Sequence, residues 1–180
     1  MRALWLAAVV SVMPLSVLAA DAGAAAPVAS PTVVAKADLK DAKGKAMGTV
    51  TVKTAAKGLI FELDLKNVPA GEHAFHLHET GKCEAPFKTA GGHFNPSGSQ
   101  HGIANPQGQH AGDLPNLHVP KSGQLQQTLF VHGLTVEAGA NSIFDADGSA
   151  IVIHAGKDDY VSDPAGNAGD RIACGLVEKK

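Results

Sequence analysis

Aromatic side chains are scarce in this sequence, 4% of 180 residues, with a single Trp and a single Tyr. Against that scarcity stand 20 Gly and 10 Pro, a balance that favours many turns and short strands over long helices. An excess of basic residues is also missing: 15 Lys and Arg against 17 Asp and Glu leave a formal charge of −2. Without a cationic face to neutralise phosphates, nucleic acid is excluded as a partner on charge grounds. Cysteine is limited to Cys83 and Cys174.

The one long apolar run lies at the start. Met1 and Arg2 precede an apolar stretch over residues 3–18, and Val17-Leu18-Ala19-Ala20 offers small residues for cleavage. Interrupted by Pro14 and short for a bilayer, the run reads as a secretory signal peptide, 1–20, and not as a membrane anchor. No Cys follows it to accept a lipid. Residues 21–35 form an Ala/Pro-rich linker that becomes ordered near Val33, and 36–180 suffice for one domain. An exported chain, expected in the periplasm, meets an oxidising compartment, so Cys83 and Cys174 are expected to pair. On the chain-entropy model, closing so long a loop stabilises the fold by about 4 to 5 kcal/mol.

Short β-branched runs separated by turn residues predict strands over 33–39, 47–54, 59–65, 72–79, 116–119, 124–131, 141–145, 149–154 and 171–177. In the third, Leu59, Phe61, Leu63 and Leu65 alternate with Ile60, Glu62 and Asp64, one face buried and the other mostly wet. This spacing suits a β-sandwich or barrel. Two intervals break it, 80–115 and 155–170, both long and rich in Gly and Pro. Long loops without regular structure in a compact domain are usually functional or disordered.

Function is the better reading of the first, because residues 73–113 hold six of the nine histidines. His76 and His78, two apart on a strand, point to one face and can reach one ion. Alone, such a pair is a weak signal. His93, His101 and His110 follow at intervals of eight and nine, with Asp113 three later. Three imidazoles and a carboxylate suit a closed zinc site, while imidazole ligation without thiolate also suits copper. His154 closes a Val/Ile strand and by itself reads as an ordinary strand-end residue.

Taken together, Phe75-His76-Leu77-His78, Gly91-Gly92-His93-Phe94-Asn95-Pro96, His110-Ala111-Gly112-Asp113-Leu114, Ile153-His154 and Gly166-Asn167-Ala168-Gly169-Asp170-Arg171-Ile172-Ala173-Cys174-Gly175 resemble the copper/zinc superoxide dismutase family, in its bacterial exported type. The resemblance runs in order from about residue 36 to the end. It implies an all-β fold: an eight-stranded Greek-key β-barrel or sandwich, immunoglobulin-like, with two long functional loops. One copper ion and one zinc ion per subunit are implied. His76, His78, His93 and His154 match the copper ligands, and His93, His101, His110 and Asp113 the zinc ligands, so His93 would bridge the two. Asp158 matches the aspartate that links a copper histidine to a zinc histidine. Arg171 matches the arginine that attracts and positions superoxide, and Cys83 and Cys174 match the family disulfide. The implied activity is conversion of superoxide to dioxygen and hydrogen peroxide, an antioxidant role outside the cytoplasm. Dismutation needs a one-electron metal, which copper provides and zinc does not. The resemblance makes His93 a proton carrier as well as a ligand, and leaves monomer or homodimer open.

The chain departs from the family pattern at several points. Ala74 stands where glycine is usual, and acidic Asp170 precedes Arg171. The segment between Cys83 and His93 is a few residues longer than in animal members and carries Lys88. Lys88 and Lys157 are expected to help steer the anion. His73 is expected to be structural, and His118 and His132 to serve surface or strand packing. Two other classes compete, a non-catalytic metal-carrying module and a zinc hydrolase. Arg171 and Asp158 beside a full redox site speak against the first. Against the second stand a zinc set already closed by four protein ligands and the lack of an HExxH motif.

Overall fold

The computed structural model describes residues 30–180, so the expected signal peptide, 1–20, and most of the expected linker, 21–35, lie outside the described residues. Residues Pro31–Lys180 form one compact unit. Ten strands follow in order: β1 Val33–Lys40, β2 Ala46–Ala55, β3 Gly58–Leu65, β4 Gly71–His73, β5 Phe75–His78, β6 Leu117–Val119, β7 Leu125–His132, β8 Ala150–His154, β9 Arg171–Leu176 and β10 Glu178–Lys179. A single 3₁₀ turn, Lys88–Ala90, is the only helical element among the described residues. None is long and apolar enough to cross a membrane.

Eight strands form one antiparallel sheet in the order β5-β8-β9-β1-β2-β3-β7, with β10 paired to β1, while β4 and β6 form a separate pair. From β3 the chain crosses to the far end of that order, returns to place β7 beside β3, and crosses again to β8. These returns beside non-consecutive strands are Greek-key connections. The alternation expected in β3 is observed: Leu59, Phe61, Leu63 and Leu65 are buried, and Val50 and Val52 of β2 and Ala35, Ala37 and Leu39 of β1 join them in the core. Burying a side chain the size of Phe61 contributes about 1.5 to 3 kcal/mol. In β2 the alternation slips between Met47 and Val50, beside a register shift against β1 at Leu39/Lys40. Gly48 sits there at φ +124, with Leu65 main chain so close that a Cβ would lie 2.6 Å from it, which restricts the position to glycine.

Two expected strands are corrected. Residues 72–79 are not one strand: the run divides at Ala74, with β4 pairing β6 and β5 pairing β8. The Ala74 amide instead donates to Gly156, and its carbonyl accepts from His154. Residues 141–145 are turns, held by paired main-chain bonds to Thr135. Buried Ile143 gives that stretch its strand-like apolar signal.

What positions the site is that β5 and β8 are buried on both faces. Phe75, Leu77, Ile151 and Ile153 point into the main core. By the two-residue alternation, His76 and His78 share the opposite face with their register partners Val152 and Ala150. That face is covered by the loop over residues 80–91, whose Phe87 and Ala90 pack on Ala150, Val152 and Cys174. The loop is fastened by the expected disulfide, Cys83 to Cys174, across a sequence separation of 91. Replacing both cysteines by Ala in the metal-free chain should lower unfolding stability by about 3 to 5 kcal/mol. Urea unfolding of the two proteins checks this, and an unchanged midpoint contradicts it.

Candidate metal centre

The free edge of β5 gains two further partners from the long loop. Phe94 donates to Leu77 at 2.9 Å, Leu77 donates to Gly112 at 3.0 Å, and Gly112 donates to Phe94 at 2.9 Å. These bonds draw residues 93–94 and 112–113 alongside the strand, with His78 opposite His93 and His76 opposite Asp113. From β8, His154 falls on the same face. His76, His78, His93 and His154 each bring one ligand nitrogen to within 4.8 Å of the other three, and all four are buried.

In each of those rings one nitrogen has no hydrogen-bond partner: Nδ1 of His76, and Nε2 of His78, His93 and His154. A buried polar atom left unpaired costs about 1 to 3 kcal/mol, so four of them on one point require an explanation. The opposite nitrogens supply it, since each fixes a tautomer. His78 Nδ1–H donates to Gly91 at 3.1 Å, His154 Nδ1–H to Gly169 at 3.2 Å, and His76 Nε2–H to Asp158 Oδ2 at 2.7 Å. The unpartnered nitrogens then carry lone pairs aimed at a common centre, as a metal ion requires. Protonation is suppressed as well. Burial, the largest influence in each case, lowers His93 to about 4 and His154 to about 3, and takes His78 well below its ordinary value.

A second cluster adjoins the first. His93, His101, His110 and Asp113 are again buried, with ligand atoms within 4.8 Å of one another. Asp113 Oδ1 faces Nδ1 of His93 at 2.7 Å, of His101 at 3.0 Å and of His110 at 3.2 Å. Its Oδ2 accepts main-chain N–H groups of Gly102 and His110 at 2.9 and 3.0 Å. His101 Nε2–H donates to Asp158 Oδ1 at 2.9 Å, so in the neutral ring Nδ1 presents a lone pair to an anionic oxygen. Two acceptors so close repel unless a cation lies between them, and the set therefore fits a metal. Burial pulls Asp113 upward, but the bond from His93 and the neighbouring N–H groups and imidazoles outweigh it and hold the carboxyl below the ordinary range.

Asp158 ties the clusters together, one oxygen on His76 and the other on His101. Its own placement depends on residues that sequence reasoning missed. Asn116 grips the Asp158 main chain at both ends, Nδ2 donating to its carbonyl at 2.9 Å and Oδ1 accepting its N–H at 2.8 Å. Tyr160 hydroxyl accepts the Asn116 N–H at 2.7 Å. At Gly166 (φ +62) a Cβ would collide with Asp158 Oδ1 and come within 2.6 Å of His101 Nε2, so the bridge requires glycine there. Nothing in the residue pattern singled out Asn116. Gly166 was visible only as part of a motif.

Arg171 reaches the same face through a one-residue register shift between β8 and β9 that sets it opposite His154. Bulges of this kind re-aim side chains. Its guanidinium donates to Phe87 at 2.7 Å and to Gly91 at 2.6 Å, the latter also the acceptor of His78. Burial lowers its pKa, yet a guanidinium stays charged. It lines a surface hollow with Lys43, Lys88 and Asp170. Lys157 instead lies 3.9 Å from Glu72. His73 sits between the carbonyls of Pro69 and His154 at 2.9 and 2.8 Å, leaving no nitrogen for a metal. His118 is exposed beside Glu72, and His132 is exposed at the end of β7.

Residues 46–177 match the family model for copper/zinc superoxide dismutase. The chain belongs to the copper/zinc superoxide dismutase family. It is 47% identical over 145 residues to copper/zinc superoxide dismutase 1 of Aquifex aeolicus, covering 79% of this chain and 86% of the relative. With the enzyme of Caulobacter vibrioides it shares 40% over 148 residues, 80% and 85% of the two chains. Among solved structures, a double mutant of a SOD-like protein from Bacillus subtilis superposes with a TM-score of 0.78 at 38% identity, covering 82% of this chain and 99% of the other. Copper and zinc are the metals of this dismutase family, and superoxide is its substrate.

The depressed histidines make a prediction for the metal-free dismutase. Unfolded, His93 and His154 return to the ordinary 6.5, so between pH 6.5 and about 4 the unfolded chain binds protons that the native rings refuse. Stability should be fully present above this window and fall as pH drops through it, by about 1.4 kcal/mol per pH unit for each ring. Thermal melts of the metal-free chain from pH 7 to 4 test this; a flat melting temperature would count against neutral buried rings.

Proposed function

We propose that the chain is an exported superoxide dismutase in which His76, His78, His93 and His154 hold copper and His93, His101, His110 and Asp113 hold zinc. The observation that carries the reading is the set of four buried, unpartnered imidazole nitrogens adjoining a second set through the single ring of His93. When bound, copper supplies the one-electron chemistry by which two superoxide ions and two protons become dioxygen and hydrogen peroxide, while zinc adds charge without redox chemistry.

The protein's own groups do the rest. Arg171 presents a fixed positive charge to the incoming anion, held in orientation by the Phe87 and Gly91 carbonyls. His93 has one nitrogen in each cluster, and its Nε2 is the atom suited to hold a proton and hand it to the reduced oxygen. Asp113, through His93 Nδ1, fixes the ring while that exchange takes place. Asp158 keeps His76 and His101 in the tautomers that leave their Nδ1 atoms free. Export to the periplasm is supported by the pattern of residues 1–20 and by a disulfide suited to an oxidising compartment.

The decisive experiment combines metal analysis with a superoxide assay on the wild-type protein and on His154→Ala. Copper content and rate should fall by roughly 100-fold or more with zinc retained. Loss of both metals, or of neither, would overturn the assignment. Steering is tested separately. Lys88→Gln should lower the rate by about twofold at low ionic strength and flatten its salt dependence. Lys157→Gln should do less, because Glu72 already offsets that charge; equal slopes for wild type and Lys88→Gln would remove Lys88 from the steering field.

A further inference from the structure

The loop over residues 155–170 touches the zinc-side cluster twice. Asp158 takes His101 by its ring. Five residues later the Asp163 carboxylate takes the same histidine by its main chain, Oδ1 accepting the His101 N–H at 2.7 Å. That oxygen also lies 4.0 Å from Nε2 of His110. Among the described residues it is the only carboxylate within that distance of the nitrogen. The nitrogen matters because, once Nδ1 of His110, which faces Asp113 Oδ1 at 3.2 Å, is given to a metal ion, Nε2 carries the proton of the neutral ring. At 4.0 Å the carboxylate is beyond hydrogen-bond distance of Nε2, and it acts on the ring as a nearby negative charge that favours donation from the ligating nitrogen. Asp163 is half-exposed, yet the atom in question is the one turned toward the two histidines.

The same loop is held to the segment after His101 by further bonds. Ala104 donates to the Tyr160 carbonyl at 3.0 Å and Asn105 Nδ2 to the Val161 carbonyl at 3.5 Å, while within the segment Asn105 Nδ2 also donates to the His101 carbonyl at 2.9 Å. The main chain of His101 is therefore restrained on both its N–H and its C=O, the first of these from across the loop by Asp163.

We propose that Asp163 is a positioning residue of the zinc-side cluster: it fixes the His101 main chain and places a negative charge 4.0 Å from His110 Nε2, so that closing the 155–170 loop and holding the ion are coupled. The proposal rests on the assignment of His101 and His110 to zinc. It predicts a selective effect, because Asp163 contacts neither His76, His78 nor His154.

The test measures zinc affinity by chelator competition, and the visible absorption of cobalt(II) placed in the same site, for wild type, Asp163→Ala and Asp163→Asn. Asp163→Ala should weaken zinc roughly tenfold and alter the cobalt spectrum, with copper affinity kept within about twofold. Asp163→Asn retains an oxygen for the His101 N–H but no charge toward His110, and should recover part of the loss. Unchanged zinc affinity in Asp163→Ala overturns the proposal. So does equal weakening of both metals, which would mark general loosening of the loop, and so does an Asn variant as weak as the Ala variant. His110→Ala is the control: zinc binding unaffected by that change would refute the assignment of His110 to zinc, independently of what Asp163 does.

Discussion

Four buried imidazole nitrogens without a hydrogen-bond partner are the constraint to which the rest of the molecule responds. Left to itself such a cluster is unfavourable, since each lone pair has been taken from water and given nothing. The fold makes the arrangement unavoidable by burying β5 on both faces: Phe75 and Leu77 enter the core, and the alternation then forces His76 and His78 beneath the loop. The opposite ring nitrogens are all engaged, so none of the four rings can turn to satisfy itself without breaking a bond to Gly91, Asp113, Gly169 or Asp158. A cation is the remaining way to satisfy the centre.

The supports of this centre are shared between its two halves and the Arg171 guanidinium. The Gly91 carbonyl accepts from both His78 and Arg171, so the ring and the guanidinium are positioned from one atom. Gly91 is placed in turn by the loop that the Cys83–Cys174 disulfide fastens to β9, and Arg171 begins that same strand. The disulfide thus closes a circuit from the covering loop, through the guanidinium, back to the sheet. Asp158 makes the equivalent link on the other side, between His76 and His101, and is itself held by Asn116 from the end of the long loop. Each loop supports the site only because the other is in place.

How far this could be read in the sequence depended on the kind of signal each residue carries. Chemistry-bearing side chains at regular spacing were legible as neighbours: the seven residues that the resemblance pointed to lie together in the two clusters found in space, and the alternation of β3 was plain. Residues 141–145 misled because Ile143 is buried from a turn, and periodicity alone cannot separate an apolar turn from a short strand. The division at Ala74 was hidden because both flanking stretches are extended and only pairing distinguishes them. Asn116, Tyr160 and Asp163 were out of reach for another reason. They act through main-chain groups far away in sequence, and no local pattern of their own announces an amide or carboxylate whose partner is another residue's backbone.

The two clusters also bear on which chemistry the site can perform. A hydrolytic metal needs a coordination position left for water and a general base beside it. In the second cluster four protein groups converge, and both oxygens of its one carboxylate are engaged, Oδ1 with the imidazoles and Oδ2 with the N–H groups of Gly102 and His110. Neither oxygen of that carboxylate is free to act as a base. The first cluster is built from neutral nitrogen donors alone, a set that suits copper in its redox role. Arg171 stands on the same face of the sheet with its charge uncompensated by any carboxylate within 4.0 Å among the described residues. A fixed cation beside a donor set suited to a redox metal, with the neighbouring cluster closed, supports the proposed dismutase reading over a hydrolytic one.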